Sequence, residues 1–326
     1  MALSSEFINN HIEHWQESFQ NSSRKYRARW PKYLFRHEPV ENAARILSSG
    51  VIQSRSGAQG IDHADIAPQT IIQNRNTAHG SVRLYFRPLN PTQFHVEGIK
   101  RDTDPKLADN AHAPILIMFV LKASSVLSSQ GVEFSNGNMQ HQSTQKGSTE
   151  DFFKTIDFEN VYHEGAFSPE DKKTILNARC TEVLTPSPLD LTQHLSFVFC
   201  RSEAEKRTLL FLANNIDPTL KHKVRTYSEP GVFQHTYTFV RRVDVSSTSI
   251  ILELHPRKDN TNVSLDVAVQ LFSQGAFQSI IQNRSIAPVG PLRLRYPLPE
   301  GTHTIEIKVD GHIAYRATSV VSEQPF

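Results

Sequence analysis

The chain has 326 residues, enough for one large domain or two ordinary ones, each with a proper core. Its composition, 38% hydrophobic and 21% charged, is that of a globular protein, and a net charge of +2 gives no global field toward nucleic acid or membrane, so only local charge can serve that purpose. Cys180 and Cys200 lie in separate apolar segments with no CxxC or CxxH spacing, which argues against structural zinc and fits the reduced thiols of a cytoplasmic, metal-free protein. The start, "MALSSEFINNHIEHWQESF", carries Glu6, Glu13 and Glu17 where a signal peptide needs a basic flank and an apolar run. The longest apolar stretch, "ILIMFVL", has the length of a strand and is too short to cross a bilayer, so no membrane association is expected.

Residues 5–19 place Ile8, Ile12, Trp15 and Phe19 at three- and four-residue steps, the pattern of an amphipathic helix. A basic–aromatic stretch, "SRKYRARWPKYLFRH", follows, with no acidic residue between Glu17 and Glu38. Its cations and rings suit a nucleic-acid strand, and they equally suit a solvated charge run anchored to the core by its aromatics. "ENAARILSSG" predicts a short helix with Gly50 as its left-handed cap. "SVRLYFRP" alternates Val82, Leu84 and Phe86 against Arg83, Tyr85 and Arg87 and predicts a strand, and "APILIMFVL" predicts a second one buried on both faces. The polar stretch from Ser128 to Glu150 reads as a long loop, a length that is usually functional or disordered. "CTEVL" and "LSFVF" read as strands, with a helix over Glu203–Asn214. From about residue 235 short strand-like runs alternate with Pro, Gly, Asn and Asp, the texture of a small antiparallel β-sandwich, immunoglobulin-like in kind. The expected class is α+β, with a mixed domain over 1–232 and a β-sandwich accessory domain over 233–326, divided near "YSEPGVF".

Neither GxGxxG nor GxxxxGK occurs, which weakens dinucleotide-fold and kinase readings, and GxSxG and HExxH are also missing. One residue is out of place. Glu182 sits between Cys180 and Val183–Leu184 in a run that otherwise favours burial, and an unpaired carboxylate is costly there.

A set of short pieces gives that glutamate a context: "YLFRHEPVENAARILSSGVI", "IIQNR", "VRLYFRPLNPTQF", "VEFSNGN", "DFENVY" and "CTEVLTP". In this order they resemble the DarT family of nucleic-acid ADP-ribosyltransferases over about residues 30–225. His37, Asn42, Ile46, Leu47 and Gly50 match the first element, with the His-to-Asn spacing one residue short. Arg75 matches an arginine that precedes the Tyr/Phe strand, and Glu182 matches the catalytic glutamate. Residues beyond 235 lie outside the pattern.

The resemblance implies an ADP-ribosyltransferase-like fold whose cleft holds NAD without a Rossmann motif. It implies transfer of ADP-ribose onto a base of single-stranded DNA, with RNA as the alternative, in a toxin–antitoxin or phage-defence setting. The resemblance implies an antitoxin as partner; for the C-terminal domain, an appended sandwich outside the pattern, a role in contacting an antitoxin, a chaperone or nucleic acid is the expectation. Glu182 and Arg75 are the expected catalytic pair: a fixed carboxylate opposes the positive charge that develops on the ribose as nicotinamide leaves, and a permanent planar cation suits phosphate oxygens. His37, Asn42 and Tyr85 are expected around NAD. Phe134, Asn136, Asn138 and Arg179 are expected at the nucleic acid, where rings stack and amides read base edges. A protein side chain as acceptor, or a non-catalytic binding module on the same fold, are the competing readings.

Overall fold

The computed structural model of the chain describes residues 2–58, 80–100, 112–258, 264–287, 290 and 292–319. The first helix, α1 (Ser5–Gln20), starts where the Ser4 hydroxyl accepts the Phe7 N–H, and it buries Ile8, Ile12, Trp15 and Phe19, the four residues its period selects. Helix α2 (Val40–Ser49) ends at Gly50, whose φ of 73° is the left-handed cap that its sequence predicts.

Between and after these helices the chain lays down an eight-stranded sheet. Its members are β1 (Tyr33–Pro39), β3 (Val82–Tyr85), β4 (Leu116–Lys122), β5 (Glu133–Ser135), β6 (Lys146–Gly147), β7 (Glu182–Thr185), β9 (Leu195–Cys200) and β10 (Val224–Thr226). They run in the order β10-β9-β4-β1-β3-β7-β5-β6, and β2 (Val51–Ile52) with β8 (Leu189–Asp190) forms a separate two-stranded ribbon. β4 is apolar on both faces, with every residue but Lys122 buried, so it forms the middle of the core. Helix α3 (Glu203–Leu212) begins at Ser202, whose hydroxyl accepts the Glu205 N–H.

The stretch from 128 to 150 departs from its expected loop character. Phe134 is 1% exposed, and β5 and β6 pair with each other and extend the sheet beyond β7. Few apolar residues mark this stretch, so two- and three-residue strands inside it give no period to detect.

Beyond Val240 the chain forms two antiparallel sheets. β11 (Val240–Val245), β12 (Ser249–Leu254) and β15 (Leu292–Pro297) make one, and β13 (Leu265–Ser273), β14 (Ala276–Ile286), β16 (Thr304–Val309) and β17 (His312–Thr318) make the other. Leu252, Tyr296, Val267, Val269, Ile305 and Ile307 share one apolar core between them, the sandwich that the sequence predicts. Ile99 and Ala204, from the first part of the chain, complete that core, and the Arg316 N–H donates to Thr208 of α3 at 2.9 Å.

A buried ionic cluster fastens the two parts. The Glu97 carboxylate accepts the Gln234 and His235 N–H groups, both at 3.0 Å, and the Gln93 amide at 2.9 Å. Arg201, its side chain fully buried, donates Nη2 to Glu205 Oε1 at 2.5 Å and stands 3.7 Å from Glu97.

Candidate active site

Three strands bring the candidate residues together: β1 supplies His37 and Glu38, β3 supplies Arg83 and Tyr85, and β7 opens with Glu182. Antiparallel pairing sets Tyr85 opposite Glu182 and Phe35 opposite Tyr85. Glu182 is 0% exposed, and its carboxylate is held by the Arg83 fork: Nε donates to Oε2 and Nη2 to Oε1, both at 2.5 Å. Such a bidentate, charge-assisted pair fixes the plane of the carboxylate as well as its position. The Arg83 side chain is still 31% exposed, so one side of the pair faces open space. Burial alone lowers the proton affinity of Arg83, but the Glu182 charge overrides it and leaves the guanidinium firmly protonated.

The backbone of Glu182 is anchored as well. Its N–H donates to Ser135 Oγ at 2.9 Å, and that hydroxyl donates to Gly137 O at 2.6 Å. A Cβ on Gly137 would collide with the Asn177 amide, so glycine is the residue that lets the β5–β6 turn close on the segment before Glu182.

His37 and Tyr85 stack beside the carboxylate, ring centroids 5.7 Å apart and planes within 8°. Burial holds the His37 imidazole down to about 4, so it is neutral near pH 7, and among the described residues its buried Nδ1 has no hydrogen-bond partner. Burial, and then the negative charge of Glu182, push the Tyr85 phenol up to about 12, which keeps it a donor. Burial and the same charge push the Cys180 thiol up to about 12, so it is an inert packing residue here.

Around this centre runs a second arginine–glutamate set. Glu38, 6% exposed, takes the Arg36 Nε at 2.6 Å and the Asn42 amide at 3.1 Å, and Asn42 Oδ1 accepts from Arg45 at 2.6 Å. Arg36 also reaches Arg83 O at 3.1 Å, which links the two sets.

The structure therefore brings His37, Tyr85 and Glu182 together, while Asn42 bonds Glu38 and Arg45, and Arg75 lies outside the described residues. Phe134 needs correcting as a base-stacking ring: it packs among Phe152 and Phe153 and has no face to offer. Its alternation in β5 turns it inward, which a single aromatic between polar residues does not disclose. Asn136 and Asn138 spend their Oδ1 atoms on the Gln145 and Gln140 N–H groups, at 2.9 and 3.0 Å, and so shape the turn that supports Glu182. Arg179 lies with Nη2 3.0 Å from His163 Nδ1 and its guanidinium over the Phe167 ring. Sequence reasoning missed Arg83, Glu38 and Ser135. For Arg83 a signal existed: the alternation of "VRLY" puts it on the same face as Tyr85.

Sequence comparison adds the family. The profile described as "ssDNA thymidine ADP-ribosyltransferase, DarT" matches residues 35–231. The chain belongs to the DarT family. Among solved structures it is similar to Thermus sp. 2.9 DarT in complex with ADP-ribosylated ssDNA, at 15% identity and a TM-score of 0.47 over 61% of this chain and 95% of that one. It is similar to Thermus sp. 2.9 DarT in complex with NAD+, at 13% identity and a TM-score of 0.45 over 61% and 96% of the two chains. It is also similar to Thermosipho africanus DarTG in complex with ADP-ribose, at 19% identity and a TM-score of 0.43 over 58% and 51%. The comparison with curated proteins finds no match. All the candidate residues of the cleft fall inside the DarT match, and the sandwich lies beyond it. Among the described residues no helix is long and apolar enough to cross a membrane, and no group of three or more His, Cys, Asp or Glu is placed to hold a metal ion.

Proposed function

We propose that this DarT-family ADP-ribosyltransferase works through Glu182, transferring ADP-ribose from NAD+ onto thymidine in single-stranded DNA. The observation that carries the assignment is a fully buried carboxylate held by one arginine fork whose guanidinium side chain is still 31% exposed. A carboxylate has about four lone-pair positions, and Arg83 fills two, which leaves capacity to accept a ribose hydroxyl. As the nicotinamide bond breaks, positive charge grows on the ribose, and a fixed carboxylate stabilises that charge more than it stabilises the ground state. Neutral His37 and protonated Tyr85 suit an uncharged ribose or amide contact, since neither adds charge to the cleft at neutral pH. The base that attacks must lose a proton, and Glu182 within hydrogen-bond reach is the group we assign to receive it. Arg75 completes the proposed catalytic pair.

In this reading residues 1–232 form the transferase and the sandwich is its appended module, acting in the cytoplasm as a toxin that an antitoxin restrains. The module's end strand β14 carries Phe277 and Ile280, 55% and 53% exposed, and this is where we place the antitoxin contact. RNA and a chaperone, both open in the sequence, gain no support from a family description that names DNA.

The test is incubation with labelled NAD+ and matched single-stranded oligonucleotides with and without thymidine, in DNA and RNA form. Label is expected only on thymidine-containing DNA and is expected to vanish with Glu182→Gln. Full labelling by Glu182→Gln, or label on polypeptide with DNA blank, would overturn the reading.

A further inference from the structure

The basic–aromatic stretch that precedes β1 lies outside the DarT match, and the cleft described above makes no use of it. It does not lie free on the surface as one run. Trp30 is 2% exposed and donates Nε1 to Gly231 O at 2.9 Å, and Arg29 pairs with Glu229, so part of it is anchorage. Arg24 and Arg27 go elsewhere. Both turn toward the segment 162–167, which also receives Arg179.

The contacts are specific. Arg27 Nη1 donates to Tyr162 O at 3.0 Å with its guanidinium stacked on Phe19, and Arg24 lies so close to Gly165, at φ 121°, that a Cβ there would meet its guanidinium at 2.6 Å. Arg179 Nη2 is 3.0 Å from His163 Nδ1. Arginine cannot accept a hydrogen bond, so Nδ1 is the acceptor and the His163 proton sits on Nε2, leaving that atom a donor. Beneath them, fully buried Arg87 takes the Glu164 carboxylate at 2.5 Å.

Among the described residues the charges do not balance: the four guanidiniums of Arg24, Arg27, Arg87 and Arg179 meet two carboxylates, of which Glu164 is committed to Arg87 and Glu159 acts on Arg27. Burial, with Arg24 adding repulsion and Glu164 only partly offsetting it, lowers the proton affinity of both Arg27 and Arg179. Among the described residues the buried Nε atoms of Arg27 and Arg179 have no hydrogen-bond partner. Partly buried, under-neutralised arginines with donors to spare are the electrostatic setting that a phosphate relieves.

We infer that Arg24, Arg179 and His163 form a binding site for a backbone phosphate of the single-stranded DNA substrate, close to the modified nucleotide. This rests on the transferase reading above. Arg179 is three residues before Glu182, so their Cα atoms are at most about 11 Å apart. The side-chain contacts of Arg27 and Arg179 are to Phe19, Tyr162, His163 and Phe167, none of them from the His37–Tyr85–Glu182 set. Phe167 under Arg179 and half-exposed Tyr26 provide rings beside the phosphate.

The experiment measures binding of a labelled thymidine-containing oligonucleotide across a salt series for the full chain, Arg24→Gln, Arg179→Gln and the double variant. Each single change is expected to weaken binding about tenfold at low salt and to reduce the log–log salt slope by about 0.7, regardless of base sequence, with Arg179→Lys keeping the slope. The KM for NAD+ is expected to stay as in the parent. Unchanged affinity and slope in a double variant that melts like the parent would overturn the site. A raised KM for NAD+ with unchanged oligonucleotide binding would reassign it to the pyrophosphate and overturn it equally. A parent that labels no DNA at all would bring down the transferase reading, whereas a labelling parent with indifferent variants brings down only this site.

Discussion

Two arginine–glutamate pairs of nearly the same geometry stand in opposite settings. Arg83–Glu182 and Arg201–Glu205 each close to 2.5 Å, and each glutamate is inaccessible. In the second pair the arginine is also inaccessible, and Pro114 O and the Arg201 N–H complete a closed knot between α3, β9 and the start of the sandwich. In the first pair the arginine is 31% exposed and the neighbours are a neutral imidazole and a phenol, so the pair can still take a ligand. Closure makes the one structural, and the open side makes the other available for chemistry. Bond length alone would not have told them apart.

The comparison can be broken by cutting each pair. Glu205→Ala removes the fork-bound partner of buried Arg201 and leaves it only Glu97, 3.7 Å away, so it should cost about 3 kcal/mol of stability, read by denaturant unfolding, while the molecules that stay folded keep their activity. Glu182→Gln should do the reverse. It should lower DNA labelling by about 10²–10³-fold while the melting temperature moves little, because half-open Arg83 can take water in place of the lost charge. A large loss of stability there, or retained activity, would mean the two pairs are alike.

Arg83→Gln sharpens the same point. If Arg83 positions Glu182, kcat should fall about tenfold with a smaller change in the KM for NAD+, and Arg83→Lys should recover only part because a point charge lacks the fork. Equal loss in both variants with a raised KM would instead make Arg83 a direct ligand contact.

The smallest effect concerns pH. Burial holds His37 and His255 down to about 4 and His11 and His235 down to about 3, against 6.5 in the unfolded chain. The unfolded state therefore takes up protons first. Stability is full above about pH 6.5 and is lost as pH falls toward 4, by on the order of 1 kcal/mol per unit of displaced pKa for the well-buried His11 and His37 and less for solvent-screened His255. His255→Phe, which keeps the stacking on Phe239, should flatten the curve in this window. An unchanged slope would show that His255 does not contribute.

Much of this was legible beforehand. The period of α1, the Gly50 cap and the strand around Glu182 follow from contacts within a few residues, and local pattern reports such contacts directly. The odd carboxylate in an apolar run was itself a readable signal. Its partner was not: Arg83 lies 99 positions away, and only the register of β3 against β7 brings the two together. Phe134 turns inward for a related reason, since its strand is set by pairing with β6 on one side and with β7, distant in the chain at Val183, on the other.

Local sequence pattern set α1, α2, the buried strand β4, the strand around Glu182 and the strand texture of the sandwich, and it marked Glu182 as a carboxylate in need of a reason to be buried. Tertiary contacts set which arginine would hold that glutamate, which histidine would stack beside it, and that Arg24 and Arg179 would both reach the segment 162–167. The physical reason is one of range. Periodicity and capping are set by neighbours along the chain, whereas ion pairs and pockets are set by pairing register between strands and loops distant in sequence, which no local pattern encodes.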